Sequence, residues 1–87
     1  MNDILYTAQA RADLTRIDWK VRGMIIETIA SVKENNPYEM GFKKVHGSDL
    51  LKLVFDEHVV IGKIEKEKAL NILTIQKKQK IKVPEAL

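Results

Sequence analysis

The chain has 87 residues, with 15 Lys+Arg against 12 Asp+Glu, a formal net charge of +3, 45% hydrophobic residues, two prolines, four glycines and no cysteine. One small folded domain over residues 1–87 is expected, because a second has no room and the apolar fraction is too high for disorder at so small a charge. The lack of cysteine excludes a disulfide framework, a thiolate metal site and a cysteine nucleophile, and the apolar runs are too short for a signal peptide or a membrane span, so a cytoplasmic protein is expected.

Ile4, Leu5 and Tyr6 form a short β-prone run that stops at Thr7, a residue suited to cap a helix beginning at Ala8. Ala10, Leu14, Ile17 and Val21 then recur at spacings of four, three and four, one stripe of a helix. Asp18 is a second cap, so the stripe is expected to break there into two helices. The second runs from about Trp19 to Glu34, with Val21, Ile25, Ile29 and Val32 on one face, Met24 widening it, and Trp19 packing at the hairpin junction. Asn35-Asn36-Pro37 ends it, because proline disfavours the helical region for the residue before it.

After Pro37 the period changes. Phe42 to Val45, Leu50 to Phe55, His58 to Glu65 and Ala69 to Gln76 are short segments rich in branched and aromatic residues. They are separated by the turn-length polar strings His46-Gly47-Ser48-Asp49, Asp56-Glu57 and Lys66-Glu67-Lys68, which predicts an antiparallel meander. The order β, α, α, β, β, β, β predicts an α+β fold: an N-terminal strand and a helical hairpin packed on a small antiparallel sheet. Leu14, Ile17, Val21, Ile25, Ile29, Leu53 and Ile61 are the expected core.

Charge divides the chain. Residues 1–40 carry five basic and six acidic side chains, and residues 41–87 carry ten lysines and six acids. Within the lysine-rich end, residues 76–87, four lysines (Lys77, Lys78, Lys80 and Lys82) occur with no acid between Gln76 and Pro84. Such a block either attracts polyanions or keeps a chain end solvated.

Tyr6-Thr7-Ala8-Gln9-Ala10 with Asp13-Leu14 and Ile17-Asp18, a helix ending at Lys33-Glu34-Asn35-Asn36-Pro37, and Lys43-Lys44-Val45-His46-Gly47-Ser48-Asp49-Leu50 together resemble the RelE/ParE superfamily of bacterial toxins. The end, Leu73-Thr74-Ile75-Gln76-Lys77-Lys78-Gln79-Lys80 with Pro84-Glu85 behind it, is more similar to the HigB and phage-protein branch. The resemblance implies the toxin of a type II toxin–antitoxin pair, held inactive by a cognate antitoxin. Most such toxins are endoribonucleases that cut mRNA, often on the ribosome; the ParE branch inhibits DNA gyrase instead.

Cleavage of this kind needs neither metal nor cofactor. The ribose 2′-hydroxyl attacks the adjacent phosphate, and the protein supplies positive charge for the transition state with a proton acceptor and donor. Lys52, interrupting an apolar strand, and Lys78, where the family's last strand presents a basic residue, are the expected charge donors; His46 and His58 are the side chains available for proton transfer. Lys43, Lys44, Lys77, Lys80 and Lys82 are the expected RNA-binding set. Each has a plain alternative: Lys52 as the outward member of a half-buried strand, and each histidine as an ordinary turn or strand-end residue. Val59 and Gly62 stand where the ribonucleases often carry arginine and tyrosine, and residues 77–87 contain neither tyrosine nor histidine. An inactive relative that binds only RNA or antitoxin is a third alternative.

Overall fold

A computed structural model describes residues 3–65 and 69–78 of the protein. In chain order it comprises β1 (Asp3–Tyr6), α1 (Ala8–Thr15), α2 (Trp19–Ala30), β2 (Lys43–Lys44), β3 (Leu50–Phe55), β4 (His58–Glu65) and β5 (Ala69–Lys77). Both caps read from the sequence are made. The Thr7 hydroxyl accepts from the Ala10 N–H at 3.0 Å, and the Asp18 carboxylate accepts from the Lys20 N–H at 3.1 Å.

The strands form one sheet in the order β1-β5-β4-β3-β2. β2 to β5 make the expected antiparallel meander, whereas β1 joins the β5 edge in parallel, so the sheet is mixed. A parallel neighbour needs a crossover, and here the crossover is the whole helical layer plus the meander, returning to β1 only at the end. The core lies between the helices and one sheet face: Ala10, Leu14, Ile25, Ile29 and Val32 meet Leu51, Leu53, Val60, Leu70, Ile72 and Ile75. Among the described residues the other face carries no helical layer. Among the described residues no helix is long and apolar enough to cross a membrane.

Several side chains sit differently from expectation. Trp19 does not pack the helix junction but is 67% exposed, with the Lys20 ammonium 5.8 Å from its ring centroid, and Met24 does not widen the buried face but is 53% exposed. At 100° per residue both point about a quarter to a third of a turn away from the Val21, Ile25, Ile29 stripe. Ile17 and Val21 are half-buried at the core margin. Ile61 is outside the core because its register partner is Lys52, whose neighbours Leu51 and Leu53 take the inward positions. Helix α2 passes into a 3₁₀ turn at Ser31–Lys33, and Pro37 opens a further one, Pro37–Met40, capped by Asn36. That turn ends at Gly41 (φ 109°), and Phe42, expected to start a strand, is instead fully buried in the core just after it.

The pairing of β4 with β5 slips once. Ile61 opposes Thr74 but Gly62 opposes Ile72, so Leu73 is passed over. A glycine belongs opposite such an irregularity, because a Cβ on Gly62 would lie 3.2 Å from the Asn71 carbonyl oxygen and 3.3 Å from a Leu70 methyl. Core and exposed positions on α2 separate cleanly in an unfolding experiment. Ile25→Ala is expected to cost about 2 to 5 kcal/mol by denaturant titration, whereas Lys20→Ala on the exposed side should stay within about 0.5 kcal/mol.

Candidate functional site

The sheet face away from the helices carries a basic cluster that register alone assembles. Lys43 on β2 is directly opposite Lys52 on β3. Lys52 in turn opposes Ile61 on β4, which puts Lys63, two residues on and opposite Leu50, diagonally beside it on the same face. Directly opposed residues have Cβ atoms ~4.5 to 5.5 Å apart and diagonal ones lie ~7 to 8 Å apart, so three ammonium groups share one patch. All three are exposed, and among the described residues no carboxylate is within ion-pair distance of them. Like charges directly opposed destabilise a sheet, so the arrangement has a cost that an anionic ligand would relieve.

Lys63 was not among the residues expected from the sequence. It follows Gly62 in a strand without a run of basic residues, and only the pairing with Leu50 brings it to the patch. Lys44 is exposed on β2 opposite the buried Leu51, and with His46, Ser48 and Asp49 it lines a shallow hollow at the β2–β3 hairpin. His46 is exposed in that turn, which the Ser48 hydroxyl braces by donating to the Val45 carbonyl and accepting from the Leu50 N–H, both at 3.1 Å.

The remaining candidates lie elsewhere. His58 is three residues from Ile61 on β4, so alternation turns it to the helical side of the sheet, away from Lys52, where it is only 8% exposed. Lys78 is exposed, and its N–H donates to the Glu57 carbonyl at 2.7 Å, tying the end of β5 to the β3–β4 turn. It is two strands across from Lys52 and four residues beyond Thr74, which shares the Lys52 row, a Cα separation of roughly 16 Å. Between them the face is apolar, Val54 opposing Val59. Thus the structure joins Lys52 to Lys43 and Lys63, with His46 in the hairpin turn that leads on from β2, but brings neither His58 nor Lys78 into reach of that patch. Lys77 opposes His58; Lys80 and Lys82 lie outside the described residues. Among the described residues no group of three or more His, Asp or Glu could hold a metal ion.

Asp13, part of the resemblance but not among the expected site residues, is the most constrained carboxylate of the described residues. It is 9% exposed on α1. One carboxylate oxygen accepts from the Thr74 hydroxyl at 2.7 Å and the Ile75 N–H at 2.9 Å; the other accepts from the Gln9 amide at 2.8 Å and faces Arg16 at 3.9 Å. Burial alone would raise its pKa, but the hydrogen bonds from Ile75, Thr74 and Gln9, helped by the Arg16 charge, outweigh that and bring it below the ordinary value. Its signal in the sequence is slight: an acid one residue before Leu14 of the apolar stripe.

No family model matches the sequence, and no curated protein is significantly similar to it. Solved structures are similar in fold. The isolated RelE toxin of E. coli superposes with a TM-score of 0.74 at 16% identity, covering 100% of both chains. The RelBE2 toxin–antitoxin complex of Mycobacterium tuberculosis gives 0.74 at 14% identity, covering 87% of this chain and 96% of that one. The chromosomal ParDE system of P. aeruginosa gives 0.73 at 16% identity, covering 88% and 96%. The fold is therefore that of the RelE and ParE toxins, as the sequence resemblance implied.

The Asp13 cluster makes a pH-dependent prediction. Asp13→Ala leaves a buried N–H and a hydroxyl without their acceptor and should cost at least about 1 to 3 kcal/mol at neutral pH. Because the folded pKa is depressed, this stabilisation is present above the unfolded value of ~3.9 and is lost as pH falls through the lowered folded value. The difference between wild type and Asp13→Ala, measured by denaturant titration, should therefore shrink below about pH 4.

Proposed function

We propose that this chain, with its RelE/ParE toxin fold, is the toxin of a type II toxin–antitoxin pair and that its open sheet face engages RNA. One observation carries the reading: Lys43 and Lys52 are opposed on an uncovered face with Lys63 diagonal to them and no carboxylate within ion-pair range among the described residues. A phosphate backbone is the ligand that such a patch fits, since each ammonium neutralised there removes a repulsion. A cognate antitoxin is the protein partner, mRNA, on the ribosome, is the target, and the cytoplasm is the place of action. The solved relatives in complex with antitoxins support the partner by analogy of fold.

Within this reading the protein is a metal-independent mRNA endoribonuclease. Lys52 stabilises charge on the phosphate in flight, and Lys78 reaches a flanking phosphate rather than the same one, given their separation. His46, on the exposed hairpin, is the proton-transfer group open to a bound strand; His58 lies under the opposite face and would need a rearrangement to take part. The HigB-like reading of the last strand rests on Leu73 to Lys78, the rest of that string lying outside the described residues.

A second reading, a ParE-like toxin that inhibits gyrase without cleavage, is favoured by one feature: the Val54–Val59 pair and Ile61 form an apolar strip on the same face, better suited to a protein than to a phosphate. The two separate in a translating extract with RNA ends mapped beside a gyrase supercoiling assay. For the ribonuclease, Lys52→Ala should lower cleavage by ~10² without unfolding the domain. Growth arrest that survives Lys52→Ala with cellular RNA uncut would transfer the reading to gyrase.

RNA binding is testable apart from cleavage. Changing Lys43, Lys52 and Lys63 to glutamine should weaken single-strand binding and flatten the log–log salt dependence by about 2, at ~0.7 for each phosphate no longer neutralised.

A further inference from the structure

On the helical side of the sheet, remote from the lysine patch, lies a second polar site. Strand β1 pairs with β5 only as far as Ile72, whereas β5 continues to Lys77. The edge so exposed is covered by α1, and between them is a cleft of about 200 Å³ lined by Asp13, Arg16, Ile17, His58, Ile75 and Lys77, together with Gln76. His58 is more than nine-tenths buried, and its Nδ1, itself shielded from solvent, has no hydrogen-bond partner among the described residues. An unpaired buried ring nitrogen is a cost; a ligand in the cleft reaches it through a turn of the imidazole, and an oxyanion pairs with it when Nδ1 carries the proton.

The charge around the cleft is positive. Arg16 and Lys77 outnumber Asp13, and the carboxylate of Asp13 is already occupied by Gln9, Thr74 and Ile75. Arg16, its side chain 75% exposed, stands 3.9 Å from one Asp13 oxygen, which leaves most of its guanidinium donors free. Strand alternation supplies another donor, for the Lys77 N–H turns to the same edge as the Ile75 N–H that Asp13 accepts. The volume suits a small group rather than a whole nucleotide, since pockets for larger ligands begin at roughly 300 Å³.

We infer that this cleft is an oxyanion pocket, built to take a carboxylate or phosphate group on Arg16, the Lys77 backbone and side chain, and the His58 ring. It does not depend on the toxin reading, because none of its residues belongs to the lysine patch.

NMR titration of the full chain tests it, with inorganic phosphate and acetate as separate arms and sodium chloride at matched ionic strength as control. The Lys77 amide and the His58 ring should shift saturably with phosphate, with acetate or with both, and the arm that saturates names the group. Arg16→Gln, at an exposed position, should lower the affinity about tenfold or more through loss of a charge-assisted fork, and Lys77→Gln should lower it less, while both keep the wild-type spectrum elsewhere. Shifts that rise linearly and match the chloride control, or an Arg16→Gln affinity equal to wild type, would overturn the assignment.

Discussion

Two side chains, Thr7 at the cap of helix α1 and Asp13 within it, hold the irregular strand β5 on which the rest of the fold depends. Where β1 ends, the Thr7 N–H donates to the Ile72 carbonyl at 3.0 Å and the Thr7 hydroxyl to the Leu73 carbonyl at 2.7 Å. One turn and a half later Asp13 accepts from the Thr74 hydroxyl and the Ile75 N–H. Helix α1 thus replaces the missing strand along the β5 edge, at the point where the β4–β5 pairing slips past Leu73. Main-chain groups buried there without partners would each cost about 1 to 3 kcal/mol, a large share of the margin that a domain of this size has.

The consequence reaches the rest of the molecule. Contacts spanning 61 and 66 residues of sequence anchor α1 across the end of β5. With α1 so fixed, α2 is carried over the sheet, and Ile25 and Ile29 join the same core cluster as Leu51, Leu53 and Val60. Among the described residues all helical mass is then on one side. The opposite face stays open, and the meander register decides what it displays: Lys43, Lys52 and Lys63 at one end, and the Val54–Val59 pair beyond them.

The two polar sites are consequently on opposite sides of one sheet and have different characters. The lysine patch is exposed, without an ion-pair partner among the described residues, and built from three strands, the geometry of a surface that reads a charged chain. The Asp13–His58 cleft is small and partly enclosed, the geometry of a pocket for one group. His58 belongs to the second because a strand sends successive residues to opposite faces, so an odd separation from Ile61 settles its side. Fold likeness at 14 to 16% identity speaks to neither site's chemistry, which rests on these particular side chains.

Local sequence determined the elements. Thr7 and Asp18 as caps, the spacing of Ala10, Leu14 and Ile17, the proline after Asn36, and the polar turns flanking Leu50–Phe55 and His58–Glu65 marked the described helices and long strands to within a few residues, because capping and periodicity act over one or two turns of chain. Lys52 was legible as an outward strand residue for the same reason. What the tertiary structure alone decided is everything that depends on register and on distant partners: the parallel placement of β1, the passing-over of Leu73, the inward turn of His58, the outward turn of Ile61, and the meeting of Asp13 with Ile75. A one-residue slip in pairing reverses a strand's faces without altering its composition. For that reason Lys63 and Asp13 carried no strong signal of their own in the sequence, and became parts of a patch and a cleft only when hydrogen bonds between distant segments set the register.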